Sequence, residues 1–316
     1  MTSVQPLVTR LAPSPTGAQH LGNARTYLIA WLLARRAGGR VVLRIEDIDS
    51  PRVKPGAAAQ ALADLRWLGL DWDDGPFIQT RRLPLYEAAL RRLQAQELVY
   101  PCTCTRSDVE QAASAPHPEG AEAVYTGTCA GRRVADAANL AGRPFAWRYR
   151  VGAVPAFDDE FRGPVRLTRE EVGGDFVVWK SQGTPAYQLA VVVDDADNGV
   201  THVVRGDDLV PSTPRQMLLY QALGLSAPAF AHVPLVVGPD GRRLAKRHGD
   251  TRLSAVRAAG VRAEQVVGLL AWSCGWLPKP TPVAATELIP RFRLDTIPPR
   301  PFVVTPELLA GIGYRS

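Results

Sequence analysis

Three stretches of this 316-residue chain carry residue types that can do chemistry. The first is R-L-A-P-S-P-T-G-A-Q-H-L-G-N, Arg10 to Asn23. Val8 to Ala12 reads as a short buried strand, and two prolines and Gly17 break it. Apolar positions at helical spacing then follow from Asn23. A turn that leaves a strand and enters a helix points unpaired amide groups outward, and the helix dipole favours anions. Gly17 and Gly22 let the backbone come close to a ligand there, and His20 offers a donor to a phosphate oxygen. The same residues also suit a plain proline-rich loop, and no G-x-x-x-x-G-K-[ST] loop is present.

The second stretch is G-R-R-L-A-K-R-H-G, Gly241 to Gly249, with four cations in a short window. A solvated charge run is the ordinary reading. Lys246, however, is one of only four lysines in an arginine-rich chain, and a compact ammonium on a flexible stem suits a moving phosphate. The third is the thiol set Cys102-x-Cys104 and Cys129, three of the chain's four cysteines. Cys102 and Cys104 are too closely spaced for a disulfide framework, so a metal site is the better reading. Zinc takes four tetrahedral ligands, which leaves one to find. Cys274 lies in an apolar helical stretch and is expected to be a buried core thiol.

The elements that position these groups follow from the apolar pattern. Strand, glycine-containing turn, helix and a second strand at Val41 to Ile45 make a βαβ unit, with further helices near Ala57 to Leu68 and Leu83 to Glu97. Between Tyr100 and Gly183, Cys, Pro, Gly and short β-like runs (Phe145 to Val151, Phe176 to Trp179) read as an insertion. The α/β pattern then resumes. Gln188 to Val193 is expected as a buried strand from its valines. Thr213 to Leu223 is expected as a helix capped by Ser212 or Thr213, and Val233 to Val237 as another strand. Beyond Leu253 the chain is expected to be mostly helical with proline joints. The fold class is therefore α/β, parsed as 1–98, 99–185, 186–253 and 254–316.

Composition narrows the function classes. The chain is 46% hydrophobic and 22% charged, which excludes disorder. The longest apolar run, Tyr27 to Ala34, is far too short to span a membrane, and the N-terminus shows no secretory pattern. A cytoplasmic monomer with no membrane association is expected. From Gly241 onward there are twelve basic against five acidic residues, while the preceding segment is nearly neutral. A basic terminal quarter suits a polyanion such as RNA, although arginine-biased composition alone also yields it.

Taken together, the two cationic segments resemble the paired signatures of class I aminoacyl-tRNA synthetases. His20-Leu21-Gly22-Asn23 resembles the HIGH motif, with Asn23 in place of its final His. Arg243-Leu244-Ala245-Lys246-Arg247 resembles KMSKS, with Ala245 in place of its first Ser. The segments L-R-I-E-D-I-D-S-P-R (43–52), A-Y-Q-L-A-V-V-V-D-D (186–195), G-V-T-H-V-V-R-G-D-D-L (199–209) and S-T-P-R-Q-M-L-L-Y-Q-A-L-G (212–224) resemble the glutamyl-tRNA synthetase catalytic domain. The resemblance runs from about residue 7 to residue 255. It implies a Rossmann-type catalytic domain with a zinc-containing insertion and a short helical C-terminal region.

It also implies a glutamate pocket. Arg10 and Arg205 would hold carboxylate oxygens, with Arg205 setting specificity. Glu46 would meet the α-ammonium, Tyr187 would line the pocket, and Ala12 and Ser14 would contact the ligand. Without the resemblance, Glu46 reads as a surface acid beside Asp47 and Asp49, and Arg205 as a surface ion pair with Asp207 or Asp208. ATP, arriving with Mg²⁺, would lie against Pro13, Thr16, Gly17, His20, Gly22 and Asn23 of the turn and Arg243, Leu244 and Lys246 of the loop. His20 and Lys246 would act on its phosphates. Tyr125, in Y-x-G-x-C, is implied as the fourth zinc ligand beside Cys102, Cys104 and Cys129, and His117 is the orthodox alternative.

The chain stops about 70 residues past Lys246, where discriminating members of the family carry a large anticodon-binding region. It resembles the short branch that transfers glutamate to queuosine in the anticodon of tRNA(Asp).

Overall fold

A computed structural model describes residues 6–48, 53–112, 124–242, 244 and 251–314. Strand β1, Val8–Leu11, is buried along its whole length. Helix α1, Leu21–Arg36, buries Leu21, Leu28, Ile29 and Leu32 against it. The chain then reverses at Gly38 and Gly39 into β2, Arg40–Ile45. At Gly39 a Cβ would lie 2.1 Å from the Leu7 carbonyl oxygen, so the turn into β2 requires glycine. β1 and β2 pair parallel from Val8 with Arg40 to Leu11 with Leu43. Helix α2, Ala57–Trp67, leads to β3, Asp74–Ile78, the outer parallel partner of β2.

Helix α3, Leu83–Ala95, leads to β4, Val99–Cys102, and α4, Arg106–Ala112. Strands β5, Ala146–Tyr149, and β8, Phe176–Trp179, complete an antiparallel sheet in the order β4-β5-β8. Tyr100, Cys102, Tyr125 and Cys129 form a small apolar cluster of their own beside it. The intervening β6, Phe157–Asp159, and β7, Gly163–Val165, behave differently. They join β9, His202–Gly206, and β10, Ala229–Val233, in a second sheet ordered β7-β6-β10-β9. The stretch expected as an insertion thus gives two strands to the main body.

The two sheets meet at β1 and β9. Thr201 N donates to the Val8 carbonyl at 2.9 Å, and its hydroxyl accepts from Val8 N at 2.8 Å. Strand order reverses at this seam, and the crevice at the carboxyl ends of such strands is where open α/β sheets hold ligands.

Three expectations need correction. Gln188 to Val193 is not a strand but part of α5, Tyr187–Asp197. Every residue from Gln188 to Asp195 is buried, because α5 packs against α3, β8 and α6, Ser212–Ala222. A helix covered on all sides has no polar face, so its valines mimic a core strand. Neither Ser212 nor Thr213 caps α6: Pro211 stands at the cap without a side-chain bond, and both hydroxyls are used inside the site instead. Val233 to Val237 divides at Pro234, leaving β10 and a separate β11, Val236–Val237.

After β11 come α7, Leu253–Ala258, α8, Ala263–Ser273, β12, Phe302–Val303, and α9, Pro306–Gly311. This terminal region is not separate from the body. β12 pairs parallel with β11, and buried Arg25 of α1 reaches Ser273 and the Pro234 carbonyl. Cys274 is fully buried just past α8, as expected of a core thiol. No helix among the described residues is long and apolar enough to cross a membrane.

Candidate active site and thiol cluster

The turn after β1 delivers His20 to the N-cap of α1. His20 Nδ1 accepts from Gly22 N at 3.1 Å, and Asn23 Oδ1 accepts from His20 N at 3.1 Å, closing a capping box. Since Nδ1 is the acceptor, the neutral ring carries its proton on Nε2. No acidic side chain lies in the first turn of α1, so the positive helix end is not neutralised there. Asn23, which departs from the HIGH motif, has a defined structural role as the reciprocal cap. Gly22 has another use than expected. A Cβ there would lie 2.9 Å from the His20 ring, so its bareness seats the imidazole. Gly17 faces open space. Pro13 is buried, and Thr16 approaches the Ser14 hydroxyl at 3.3 Å.

Lys246 and Arg243 lie outside the described residues, and Leu244 is buried in the main core. The exit of their loop is held against the His20 turn. Leu253 N donates to the Gln19 carbonyl at 2.8 Å, and Leu21 N to the Thr251 carbonyl at 3.3 Å. Thr251 and Leu253, which follow the second motif segment in the chain, are therefore stitched to the His20 turn.

Across the seam, β1 supplies Arg10 and β9 supplies Arg205, both buried. Arg10 Nη1 donates to the Val204 carbonyl at 2.9 Å. Its Nε has no hydrogen-bond partner and stands 3.7 Å from Asp195. The surface ion pair suggested for Arg205 does not form, because Asp207 pairs with Arg162 at 3.2 Å instead. Arg205 donates to neutral acceptors: His232 Nε2 at 3.0 Å, Gln216 Oε1 at 2.9 Å and Thr213 Oγ at 2.6 Å. Among the described residues no carboxylate lies within 4.0 Å of it. Burial, and then repulsion from Arg10, hold its pKa below the usual guanidinium value.

Glu46 is not a loose surface acid either. Arg44, fully buried in β2, holds one Glu46 oxygen at 2.9 Å and Asp195 at 2.5 Å. Burial raises the Glu46 pKa, with Arg44 and Arg10 opposing it. Asp47 turns away to accept from Thr80, while Asp49 lies outside the described residues. Ser14 donates to the Glu46 carbonyl at 3.2 Å, which ties the turn to β2. Tyr187, half-exposed at the start of α5, shares its electrostatic surroundings with Arg205, Glu46 and Arg10. Ala12 continues β1 into this crevice. The structure thus gathers Arg10, Ser14, Glu46, Tyr187 and Arg205 around one seam.

The sequence reading missed Arg44, Asp195, Thr213, Gln216 and His232, which orient that set. For Arg44 and His232 a signal was available, since each is a polar residue in an otherwise apolar run, V-V-L-R-I of β2 and A-F-A-H-V of β10. A charge or imidazole in such a place has to be paired.

In the smaller sheet, Cys102, Cys104 and Cys129 place their sulfurs within 4.8 Å of one another, a cluster able to hold a metal ion. Cys104 and Cys129 sulfurs lie 3.6 Å apart. The Tyr125 hydroxyl stands 3.5 Å from Cys102 and 4.0 Å from Cys104, and accepts from Cys129 N at 2.8 Å. Burial and the neighbouring thiols push Cys104 up to about 11. Arg148 donates to Cys102 Sγ at 3.3 Å and lies 4.0 Å over the Tyr125 ring. His117 is outside the described residues.

A parallel β-sheet whose order reverses at two buried arginines, with a capping His at the following helix, fits the class I synthetase catalytic fold. Residues 6–289 match the family described as tRNA synthetases class I (E and Q), catalytic domain. The chain belongs to that family and is a ligase of it. It is 52% identical to the glutamyl-Q tRNA(Asp) synthetase of Symbiobacterium thermophilum, over 97% of this chain and 98% of that protein. It is 55% identical to the glutamyl-Q tRNA(Asp) synthetase of Rhodopirellula baltica, over 86% of each. A solved structure of a glutamate tRNA ligase from Elizabethkingia meningosepticum, in complex with its amino acid, matches with a TM-score of 0.82 at 27% identity. That match covers 98% of this chain and 69% of the other.

Proposed function

We propose that this protein activates L-glutamate with ATP and transfers it to the queuosine base of tRNA(Asp). The observation that carries the glutamate half is Arg205, a buried cation held by neutral groups and left without a carboxylate among the described residues. Burying an unpaired cation is costly, and an anionic ligand relieves that cost. The tRNA half rests on the 52% identity to a glutamyl-Q tRNA(Asp) synthetase, almost end to end.

The chemistry follows from the geometry. A glutamate carboxylate oxygen attacks the α-phosphate of ATP, a new P–O bond forms, and the bond to pyrophosphate breaks. The nucleophile is already an anion, so no general base is needed. The chain's task is to position the reactants and stabilise charge: the His20 Nε2–H, the α1 N-terminus and the Lys246 ammonium act on the phosphates. Mg²⁺ arrives with ATP and neutralises part of its charge. Arg205 favours a carboxylate over the neutral amide of glutamine, because an amide NH₂ would confront its N–H groups. Glu46 accepts from the α-ammonium. A hydroxyl of the queuosine cyclopentenediol then displaces AMP from the acyl carbon. Every residue named here comes from one chain, which suits a monomer, and the reaction suits the cytoplasm, where tRNA resides.

The thiol cluster suits zinc. Zn–S bonds of about 2.3 Å imply tetrahedral edges of about 3.8 Å between sulfurs, and slightly less to oxygen. The observed separations of 3.6, 3.5 and 4.0 Å agree with Cys102, Cys104, Cys129 and Tyr125 as the ligands. With four protein ligands the site is closed, so its role is structural. Cys104→Ser is expected to lower bound zinc from about one per chain to near zero and to reduce the thermal midpoint. Full zinc by elemental analysis of that variant would remove Cys104 from the site.

The reading as a whole is tested with radiolabelled glutamate and two tRNA pools, one from cells that make queuosine and one from cells that do not. Label confined to tRNA(Asp) of the first pool is the expected result. Equal labelling of tRNA(Glu) in both pools would return the protein to ordinary aminoacylation.

A further inference from the structure

We propose that the buried pair Asp159 and His232 is a positioning device that sets the rotation of the Arg205 guanidinium, and thereby the preference of the pocket for a carboxylate over an amide. The proposal rests on Arg205 being the group that holds the glutamate side chain.

The argument begins at Asp159, which is 3% exposed at the end of β6. One of its oxygens accepts from Phe161 N at 3.0 Å and Arg162 N at 2.9 Å, and His232 N donates to the carboxylate at 3.1 Å. Its Oδ2 meets His232 Nδ1 at 2.6 Å. An ionised carboxylate only accepts, so Nδ1 carries the proton. In the neutral ring, Nε2 is then a bare lone pair. Arginine cannot accept, so the 3.0 Å contact is Arg205 Nε–H donating to that lone pair. The Phe157 and Phe230 rings flank the imidazole with centroids at 6.1 Å, and the ring is fully buried.

The other Arg205 contacts complete the orientation. Thr213 Oγ, which accepts from Nη2, stands 3.1 Å from His232 Nε2, so one side of the fork faces a single paired acceptor surface. Gln216, fixed in turn by Gln188, takes one N–H of Nη1. Three of the five guanidinium N–H bonds are then spent. Nη1 and Nη2 keep one further N–H each, the fork that meets a carboxylate, and the Tyr187 hydroxyl is its hydrogen-bonding neighbour. An amide satisfies only one of these N–H groups. The Asp159 charge lies one imidazole behind Arg205, so it orients the guanidinium without occupying it.

The decisive variant is Asp159→Asn. Its Oδ1 can keep the backbone bonds, while its amide NH₂ donates to Nδ1 and drives the proton to Nε2. That proton then confronts Arg205 Nε–H. A buried carboxylate elsewhere is known to hold a histidine in one tautomer in this way. In glutamate-dependent pyrophosphate exchange, Asp159→Asn and His232→Leu are each expected to raise KM for glutamate about tenfold or more, the value of one lost hydrogen bond of about 1.4 kcal/mol. KM for ATP should stay within about twofold, and the preference for glutamate over glutamine should fall about tenfold. His232→Gln, whose Oε1 restores an acceptor near the Nε2 position, should recover most of the loss. Nitrogen-15 spectra should show the His232 proton on Nδ1 in the unaltered protein and on Nε2 in Asp159→Asn.

Unchanged glutamate KM and unchanged discrimination in a folded Asp159→Asn protein with the flipped tautomer would overturn the proposal. So would parallel losses in KM for ATP and in kcat, which a merely structural role produces. Should Asp159→Asn fail to fold, His232→Leu against His232→Gln decides alone. Arg205→Leu is assayed alongside. If it leaves glutamate KM intact, the reading of Arg205 itself fails; if it raises KM and the Asp159 and His232 variants do not, only the positioning proposal fails.

Discussion

Replacing Arg205 by leucine is expected to lower kcat/KM for glutamate by 10² to 10³, with little change in stability. Truncating one partner of a desolvated charge pair costs about 3 to 4 kcal/mol, and each 1.36 kcal/mol is tenfold in rate. Stability behaves differently because of the environment of this cation. Arg205 is buried and pairs with neutral acceptors, so the folded protein bears its desolvation cost without an ion pair in return. When the guanidinium is removed, the Thr213 hydroxyl can turn to His232 Nε2, already 3.1 Å away. The check is pyrophosphate exchange with glutamate and with glutamine, beside a thermal melt. Glutamate should lose its advantage over glutamine, since the group that penalises an amide is gone. Undiminished kcat/KM for glutamate would take Arg205 out of the pocket.

The second large effect belongs to Lys246. Lys246→Ala is expected to slow adenylate formation by 10² or more while glutamate binding persists, which is the loss of one stabilising charge in the transition state. The loop that carries Lys246 leaves through Thr251 to Leu253, whose backbone is bonded to Gln19 and Leu21. The attachment of Thr251 and Leu253 to the His20 turn is made by backbone, and the alanine variant should keep it. Rapid-quench measurement of glutamyl-adenylate, with glutamate affinity by calorimetry, separates the two effects. An unaltered rate would assign the phosphate charge to the arginines of that loop.

How much of this was legible before folding depends on the kind of interaction. β1, α1 and β2 lie where the apolar spacing placed them, because their apolar runs are buried and the turns carry Gly and Pro. The thiol set was legible for a similar reason: Cys102, Cys104 and Tyr125-x-Gly-x-Cys129 are local strings, and two short segments suffice to bring them together. α5 was read as a strand because its surroundings bury all of its faces, and burial by neighbours leaves no period in the sequence. Ser212 and Thr213 read as caps because hydroxyls before a helix usually serve there. In the folded chain Gln188 and Arg205 claim them instead.

The sequence by itself determined the α/β class, the two motif segments and the thiol cluster. Each depends on residue types at short spacing. It also pointed, through whole matching segments, to Arg10, Glu46, Tyr187 and Arg205 as one pocket. Only the tertiary structure decided what those residues are. Glu46 is an acid gripped by Arg44, and Arg205 is a cation with no carboxylate within reach among the described residues. Without the family resemblance, both read as surface charges. The physical reason is that an ion pair or its absence depends on distances between β1, β2, β6, β9 and β10. The first and last of these strands lie more than 200 residues apart in the chain, and parallel pairing sets their registers. The tautomer of His232 is decided at the same level, by Asp159 73 residues away.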